Sequence, residues 1–158
     1  MDLRAEVELP CTLAAAHGEL DELDGYPEWL GIVRSTARAA ADGDDAGPAW
    51  WVDLGAGVGP LQRTKRVRMA RTAVDRSSIR FERRETDGVE HAPWALSVEL
   101  EEGVGRETVT FITLSLWYGG TAWVPLLDAV LATEVRRAGR RLVARVAGNR
   151  GPGSAADP

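Results

Sequence analysis

The feature that most constrains the fold is a run of short strand-like segments that fills the middle of the chain. Gly, Pro or Asp lies in most of the gaps between these segments. Such spacing is typical of strands joined by hairpin loops, and consecutive strands with tight connections predict an antiparallel meander. The segments lie near residues 32–39, 49–55, 63–74, 78–85, 93–101 and 107–118.

Other elements flank this meander. Residues 3–9 alternate between apolar and polar side chains, which predicts a half-buried first strand that ends at Pro10. Thr12 is a suitable N-cap for a short helix, and Pro27 suits the first position of a second one. The last element is an amphipathic helix of about six turns over residues 124–146. Its apolar stripe consists of Leu127, Leu131, Val135, Ala138, Leu142 and Val146.

This order of elements indicates how the chain folds. One long helix cannot cover a seven-stranded sheet that lies flat. If the sheet curls around the helix, the inner face of the sheet and the helix stripe bury each other, and space remains at the open end. The sequence therefore predicts an α+β protein in which a curved antiparallel sheet wraps around the C-terminal helix and the two short helices cover one edge.

Several stretches carry a family resemblance: YPEWL at 26–30, IRFERRE at 79–85, LWYGG at 116–120 and the paired arginines of the long helix. Together with the order of elements, they resemble the START-related superfamily called SRPBCC, which includes polyketide cyclase/dehydrase and coenzyme-Q-binding proteins. The resemblance spans residues 3–147. It implies the helix-grip fold with a deep apolar pocket, and members that bind lipids, polyketides, quinones or other hydrophobic small molecules, of which only some are enzymes.

Composition excludes several classes of protein. The 158 residues fit one domain, which we expect at 1–147, followed by a disordered tail at 148–158. The net charge of −5 argues against nucleic-acid binding, and no apolar run approaches the ~18 residues of a membrane span. A single cysteine excludes an internal disulfide, and without a signal-peptide pattern we expect a cytoplasmic protein.

Metal and cofactor signals are weak. The histidines His17 and His91 have no Cys or His at ligand spacing, so we expect no metal site. The run GAGVG at 55–59 is followed by Pro60 and a strand, whereas a dinucleotide fingerprint needs a helix at that point. We therefore expect no cofactor.

Strand parity predicts which side chains face the pocket. Val67 and Met69 share a face of one strand, and Phe81 lies on the next. Both faces point inward if paired residue numbers sum to an even value, for example Val74 with Arg80.

The same parity places Arg71 and Arg83 on the inner face. Buried arginines need anionic partners, because an unpaired buried charge is costly. They either lie at the rim or pair with Glu85 or Glu134, or they contact an anionic group of a ligand.

Aromatic residues leave two questions open. Six tryptophans could line a cavity or fill the core, and the adjacent Trp50 and Trp51 must face opposite sides of their strand. Segment 108–118 is apolar on both faces, so periodicity cannot choose between the face with Phe111 and Trp117 and the face with Leu114 and Leu116.

The candidate ligand contacts combine these inferences. They are Trp29, Trp50, Leu54, Val67, Met69, Arg71, Phe81, Arg83, Trp94, Leu96, Val98, Phe111, Trp117, Leu127, Leu131 and Val135. The function that the sequence favours is binding or carriage of a hydrophobic small molecule. One alternative is a polyketide aromatase/cyclase or dehydrase, with Arg71, Arg83, Tyr26 or Tyr118 stabilising an enolate or donating a proton. Another is a module without a ligand that forms a homodimer through an outer apolar strand face.

Overall fold

The computed structural model describes residues 2–56, 63–105, 108–120 and 124–149, and side chains within these ranges except at 56, 63 and 124–132. It contains seven strands, two α-helices and one 3-10 helix within the described ranges. The strands are β1 (Asp2–Leu9), β2 (Val33–Arg38), β3 (Ala49–Ala56), β4 (Arg63–Val74), β5 (Ser78–Arg83), β6 (Trp94–Glu102) and β7 (Thr110–Tyr118). The helices are α1 (Leu13–Leu20), the 3-10 helix (Leu23–Glu28) and α2 (Val124–Gly148).

All seven strands form one antiparallel sheet in the order β1-β7-β6-β5-β4-β3-β2. Strands β2 to β7 follow one another as a meander, and β1 pairs with β7. The chain crosses from the β1 edge to the β2 edge through α1 and the 3-10 helix. The sheet curls into a half-barrel with the C-terminal helix. The predicted α+β class and helix-grip architecture are therefore confirmed.

The short helices differ in part from the prediction. The side chain of Thr12 accepts a hydrogen bond from the backbone N–H of Ala15 at 3.2 Å, so Thr12 is the N-cap of α1. The prediction that Pro27 begins the second helix is wrong, because the 3-10 helix begins at Leu23 and Pro27 is its fifth residue. Proline is tolerated there since a helix of this length makes few backbone hydrogen bonds.

The pairing of β4 with β5 confirms the predicted parity over part of its length. Met69 lies opposite Arg83, and Arg71 lies opposite Phe81, so these pairs sum to an even number. The register then shifts between Arg71 and Ala73. Because of this irregularity Val74 pairs with Ile79, and the predicted pair of Val74 with Arg80 is wrong.

Helix α2 packs against β1, and part of its predicted apolar stripe lies in the core. Ala138, Leu142 and Val146 are buried. Gly139 lies so close to β1 that a Cβ atom there would come within 2.9 Å of a methyl group of Val7. This close approach explains a glycine in the interior of a long helix.

Candidate functional site

An apolar cavity lies between the inner face of the sheet, the 3-10 helix and α2 at Val135. Its volume is about 50 Å³, and it is partly open to the surface. One enclosed water needs roughly 10–15 Å³ on a comparable scale, so the space holds about four water-sized groups. The lining consists of Leu3, Leu23, Tyr26, Leu30, Ile32, Val33, Thr36, Val52, Leu54, Met69, Trp94, Leu96, Leu114, Leu116 and Val135.

Five of the predicted contact residues lie in this lining. They are Leu54, Met69, Trp94, Leu96 and Val135. They come from three different strands and from α2, so the curl of the sheet brings them together. Met69 is buried, and the other four are half-buried.

A second group of predicted contacts forms packed core instead of cavity lining. These residues are Trp29, Trp50, Val67, Phe81 and Val98, all fully buried. The rings of Trp50 and Phe81 meet edge to face at a centroid distance of 5.7 Å. The indole N–H of Trp50 donates to the carboxylate of Asp24 at 2.8 Å. Trp29 and Trp50 therefore fill the core, which is one of the two alternatives that the sequence left open.

The two predicted arginines are held by protein partners and lie outside the lining. Arg83 donates from Nε to Glu85 Oε1 at 2.8 Å, and this ion pair is nearly buried. Arg71 donates from Nη1 to the backbone carbonyl of Asp21 at 2.8 Å, and its guanidinium lies 3.7 Å from the Asp21 carboxylate. The alternative of a pair with Glu85 is thus the one found for Arg83.

The inclusion of Phe111 and Trp117 among the cavity residues is wrong. Their side chains are 47% and 45% exposed, so they lie on the outer face of β7. The inner face of that strand carries Leu114 and Leu116, which line the cavity. Both faces of this strand are apolar in sequence, and only its place in the sheet distinguishes them.

Two further predicted contacts, Leu127 and Leu131, lie in the part of α2 where side chains are outside the described residues. Their roles as ligand contacts therefore remain predictions.

The lining residues that the sequence reasoning missed come mainly from residues 23–36. Tyr26 and Leu30 belong to the YPEWL segment, which the resemblance had already singled out. Val33 and Thr36 lie on β2, where exposed and buried positions do not follow a simple alternation. The short helical segment closes the cavity from the side opposite the sheet, a position that local pattern does not reveal.

Tyr26 presents only its ring to the cavity. Its side chain is fully buried, and its hydroxyl donates to the backbone carbonyl of Leu20 at 2.9 Å. Burial strongly raises the pKa of the phenol, and the nearby Asp21 carboxylate raises it further. The hydroxyl is therefore neutral and already engaged with the backbone.

Over residues 2–56, 63–105, 108–120 and 124–149, no three His, Cys, Asp or Glu side chains group in a way that could hold a metal ion. Within the same ranges no helix has the length and apolar character needed to cross a bilayer.

The curled antiparallel sheet, the C-terminal helix and the cavity between them define the protein as one with the helix-grip fold of START-related proteins. Solved structures share this fold. A Thermus thermophilus protein aligns with a TM-score of 0.70 at 19% identity, covering 96% of this chain and 100% of its own. A START superfamily protein from Mycobacterium smegmatis aligns at 0.66 and 12% identity, with 94% and 98% covered.

A Deinococcus radiodurans protein also aligns at a TM-score of 0.66, with 16% identity and with 94% of this chain and 99% of its own covered. No family model matches the chain, and no curated protein sequence matches it. The structural likeness agrees with the fold that the sequence resemblance implied.

Proposed function

We propose that the protein binds a hydrophobic small molecule, or the apolar end of a larger lipid-like, quinone-like or polyketide-like one, in this cavity. The observation that carries the proposal is the partly open cavity with an almost wholly apolar lining. Transfer of apolar surface from water into such a site is favourable by about 25 cal/mol per Å². A cavity of this size suits a slim group such as an alkyl chain end.

The fold supports the same proposal. The resemblance to START-related proteins implies pockets for hydrophobic ligands, and the cavity lies where such a pocket would lie, between the curled sheet and α2. Because none of the described residues that line the cavity is charged, the role we propose is carriage of the bound molecule between partners.

Titration with 1-chlorobutane, a small neutral apolar probe, tests binding directly. Its effect is read from the methyl NMR signals of the protein. We expect concentration-dependent shifts at Leu54, Leu96 and Leu114, which line the cavity, and none at Leu20 or Leu142, which are buried elsewhere in the core.

A pair of neighbouring substitutions provides the matched control. Leu96→Trp places a large ring on the cavity side of β6 and should abolish the shifts, whereas Ser97→Trp places the same ring on the opposite face. Absence of saturable shifts in the natural sequence would overturn the proposal.

No observation favours the cyclase or dehydrase alternative. Three of its four candidate groups, Tyr26, Arg71 and Arg83, make hydrogen bonds to protein atoms. The proposal is therefore one of binding.

A further inference from the structure

A bulge in β2 determines which of its side chains face the cavity. Val33 lies opposite Leu54, but the register shifts before Ser35, which lies opposite Asp53, so that Thr36 lies opposite Val52. Strict alternation from Val33 would place Ser35 inward. The bulge turns Ser35 outward, and Thr36 enters the cavity lining. Bulges frequently re-aim a side chain beside a functional site.

The outward position of Ser35 is confirmed by its contacts. Its hydroxyl donates to Asp53 Oδ2 at 2.7 Å, and the same carboxylate accepts two hydrogen bonds from Arg66. Thr36, one residue later, is half-buried, and its hydroxyl makes no hydrogen bond to any residue that the structure describes. The bulge therefore places a residue with an uncommitted hydroxyl in an otherwise apolar lining.

Few other polar groups compete with it. Of the described residues that line the cavity, none is charged, and the Tyr26 hydroxyl is engaged with Leu20. The indole N–H of Trp94 also makes no hydrogen bond to the part of the chain that the structure describes, and it can only donate. A threonine hydroxyl both donates and accepts, so it suits an alcohol as well as a carbonyl or ether oxygen.

The surroundings of Thr36 disfavour an anionic ligand. Arg38 follows on the same face of β2, opposite Trp50, and its guanidinium lies 4.5 Å from the centroid of that ring. It is also paired with Glu22 at 2.7 Å and lies 3.6 Å from Asp24. This cation is already neutralised, and a ligand carboxylate would meet the two acidic groups beside it.

We propose that Thr36 hydrogen-bonds an uncharged oxygen of the ligand, in an alcohol, carbonyl or ether, while the apolar part of the ligand fills the cavity. This inference rests on the proposed function and narrows its ligand class to molecules whose polar end carries an uncharged oxygen and no carboxylate.

The test compares 1-butanol with 1-chlorobutane. The two molecules have the same number of non-hydrogen atoms, but only 1-butanol has a hydroxyl. Dissociation constants of 1-butanol, 1-chlorobutane and butyrate are measured by methyl NMR for the natural sequence and for the variants Thr36→Val, Thr36→Ser, Trp94→Phe and Ser35→Ala. The quantity compared is the affinity for 1-butanol divided by the affinity for 1-chlorobutane. We expect Thr36→Val to lower this ratio about three- to tenfold, as loss of one hydrogen bond predicts. Thr36→Ser should restore the ratio, and Ser35→Ala, on the outer face, should not change it.

Each outcome bears on a separate part of the inference. Binding of 1-chlorobutane with an unchanged ratio in Thr36→Val would overturn the role of Thr36 and leave the proposed function standing. A lowered ratio in Trp94→Phe but not in Thr36→Val would assign the hydrogen bond to Trp94 instead. Butyrate binding as tightly as 1-butanol would overturn the exclusion of a ligand carboxylate. If none of the probes binds, the proposed function fails and this inference with it.

Discussion

Arg68 on β4 and Asp45 in the loop that joins β2 to β3 form a bidentate ion pair. Arg68 Nη2 lies 2.6 Å from Asp45 Oδ2, and Nη1 lies 3.2 Å from Oδ1, with side chains only 3% and 5% exposed. The guanidinium also donates to the backbone carbonyls of Ala40 and Arg84. This arginine fastens the loop to the outer face of the sheet and thereby supports the two strands that carry Thr36 and Leu54.

Asp45→Asn tests how much this pair contributes. The substitution leaves a buried guanidinium without its counter-charge, so we expect the free energy of unfolding at pH 7 to fall by about 3 kcal/mol. Denaturant unfolding of both proteins measures the difference. Asp53→Asn is the control, because the Asp53 pair with Arg66 lies at the surface and should contribute much less. Equal losses in the two variants would contradict the assignment.

The same pair predicts a pH dependence. The hydrogen bonds from Arg68 lower the pKa of Asp45, so the folded protein keeps this carboxylate ionised to a lower pH than the unfolded chain does. The stabilisation is therefore present above the unfolded pKa of about 3.9 and is lost as the pH falls through the folded value. We expect the stability difference between the natural sequence and Asp45→Asn to be constant near neutrality and to shrink below about pH 4. A difference that does not change with pH would contradict this.

Sequence pattern predicted the strands well because alternation and turn residues are local properties. The bounds of β4, for example, agree with the predicted segment 63–74. The two bulges were not predictable in this way. They shift register at Val33/Ser35 and at Arg71/Ala73, and such shifts depend on how whole strands fit together.

The candidate site was predictable to a similar extent. Trp94 and Leu96 lie on a cleanly alternating strand, and both line the cavity. Phe111 and Trp117 lie on a strand that is apolar on both faces, so local pattern could not tell inside from outside. Thr36 was missed because its inward position depends on a bulge.

Tyr26→Phe is expected to lower the free energy of unfolding by about 1 kcal/mol, because the buried carbonyl of Leu20 loses its donor. A pH series provides a second, independent signature. Since burial raises the pKa of Tyr26, the unfolded chain releases its proton above about pH 10 while the folded protein keeps it. The natural sequence should therefore lose stability above this pH relative to Tyr26→Phe. Parallel curves at high pH would show that the phenol is not buried.

Replacement of the two exposed aromatics on β7 tests the homodimer alternative. Phe111 and Trp117 are six residues apart on one strand, about 20 Å, with Thr113 between them on the same face. Phe111 is flanked across the sheet by Glu8 and Glu101. Because these rings do not form one continuous apolar patch, we expect the double variant Phe111→Thr/Trp117→Thr to sediment like the natural sequence. A lower sedimentation coefficient for the variant would support a dimer through this face.

Two glycines in helices should respond in opposite ways to alanine. Gly18 in α1 has no neighbouring atom within 4 Å of the position of an added Cβ, so Gly18→Ala should raise the free energy of unfolding by about 1 kcal/mol through helix propensity. At Gly139 the added Cβ would come within 2.9 Å of a Val7 methyl, which a branched side chain cannot easily move away. We therefore expect Gly139→Ala to give no gain or a loss in the natural sequence, and a gain of about 1 kcal/mol once Val7→Ala removes the clash. Denaturant unfolding of the four proteins in this double-mutant cycle measures the coupling. If Gly139→Ala stabilises equally in both backgrounds, α2 does not approach β1 as closely as we describe.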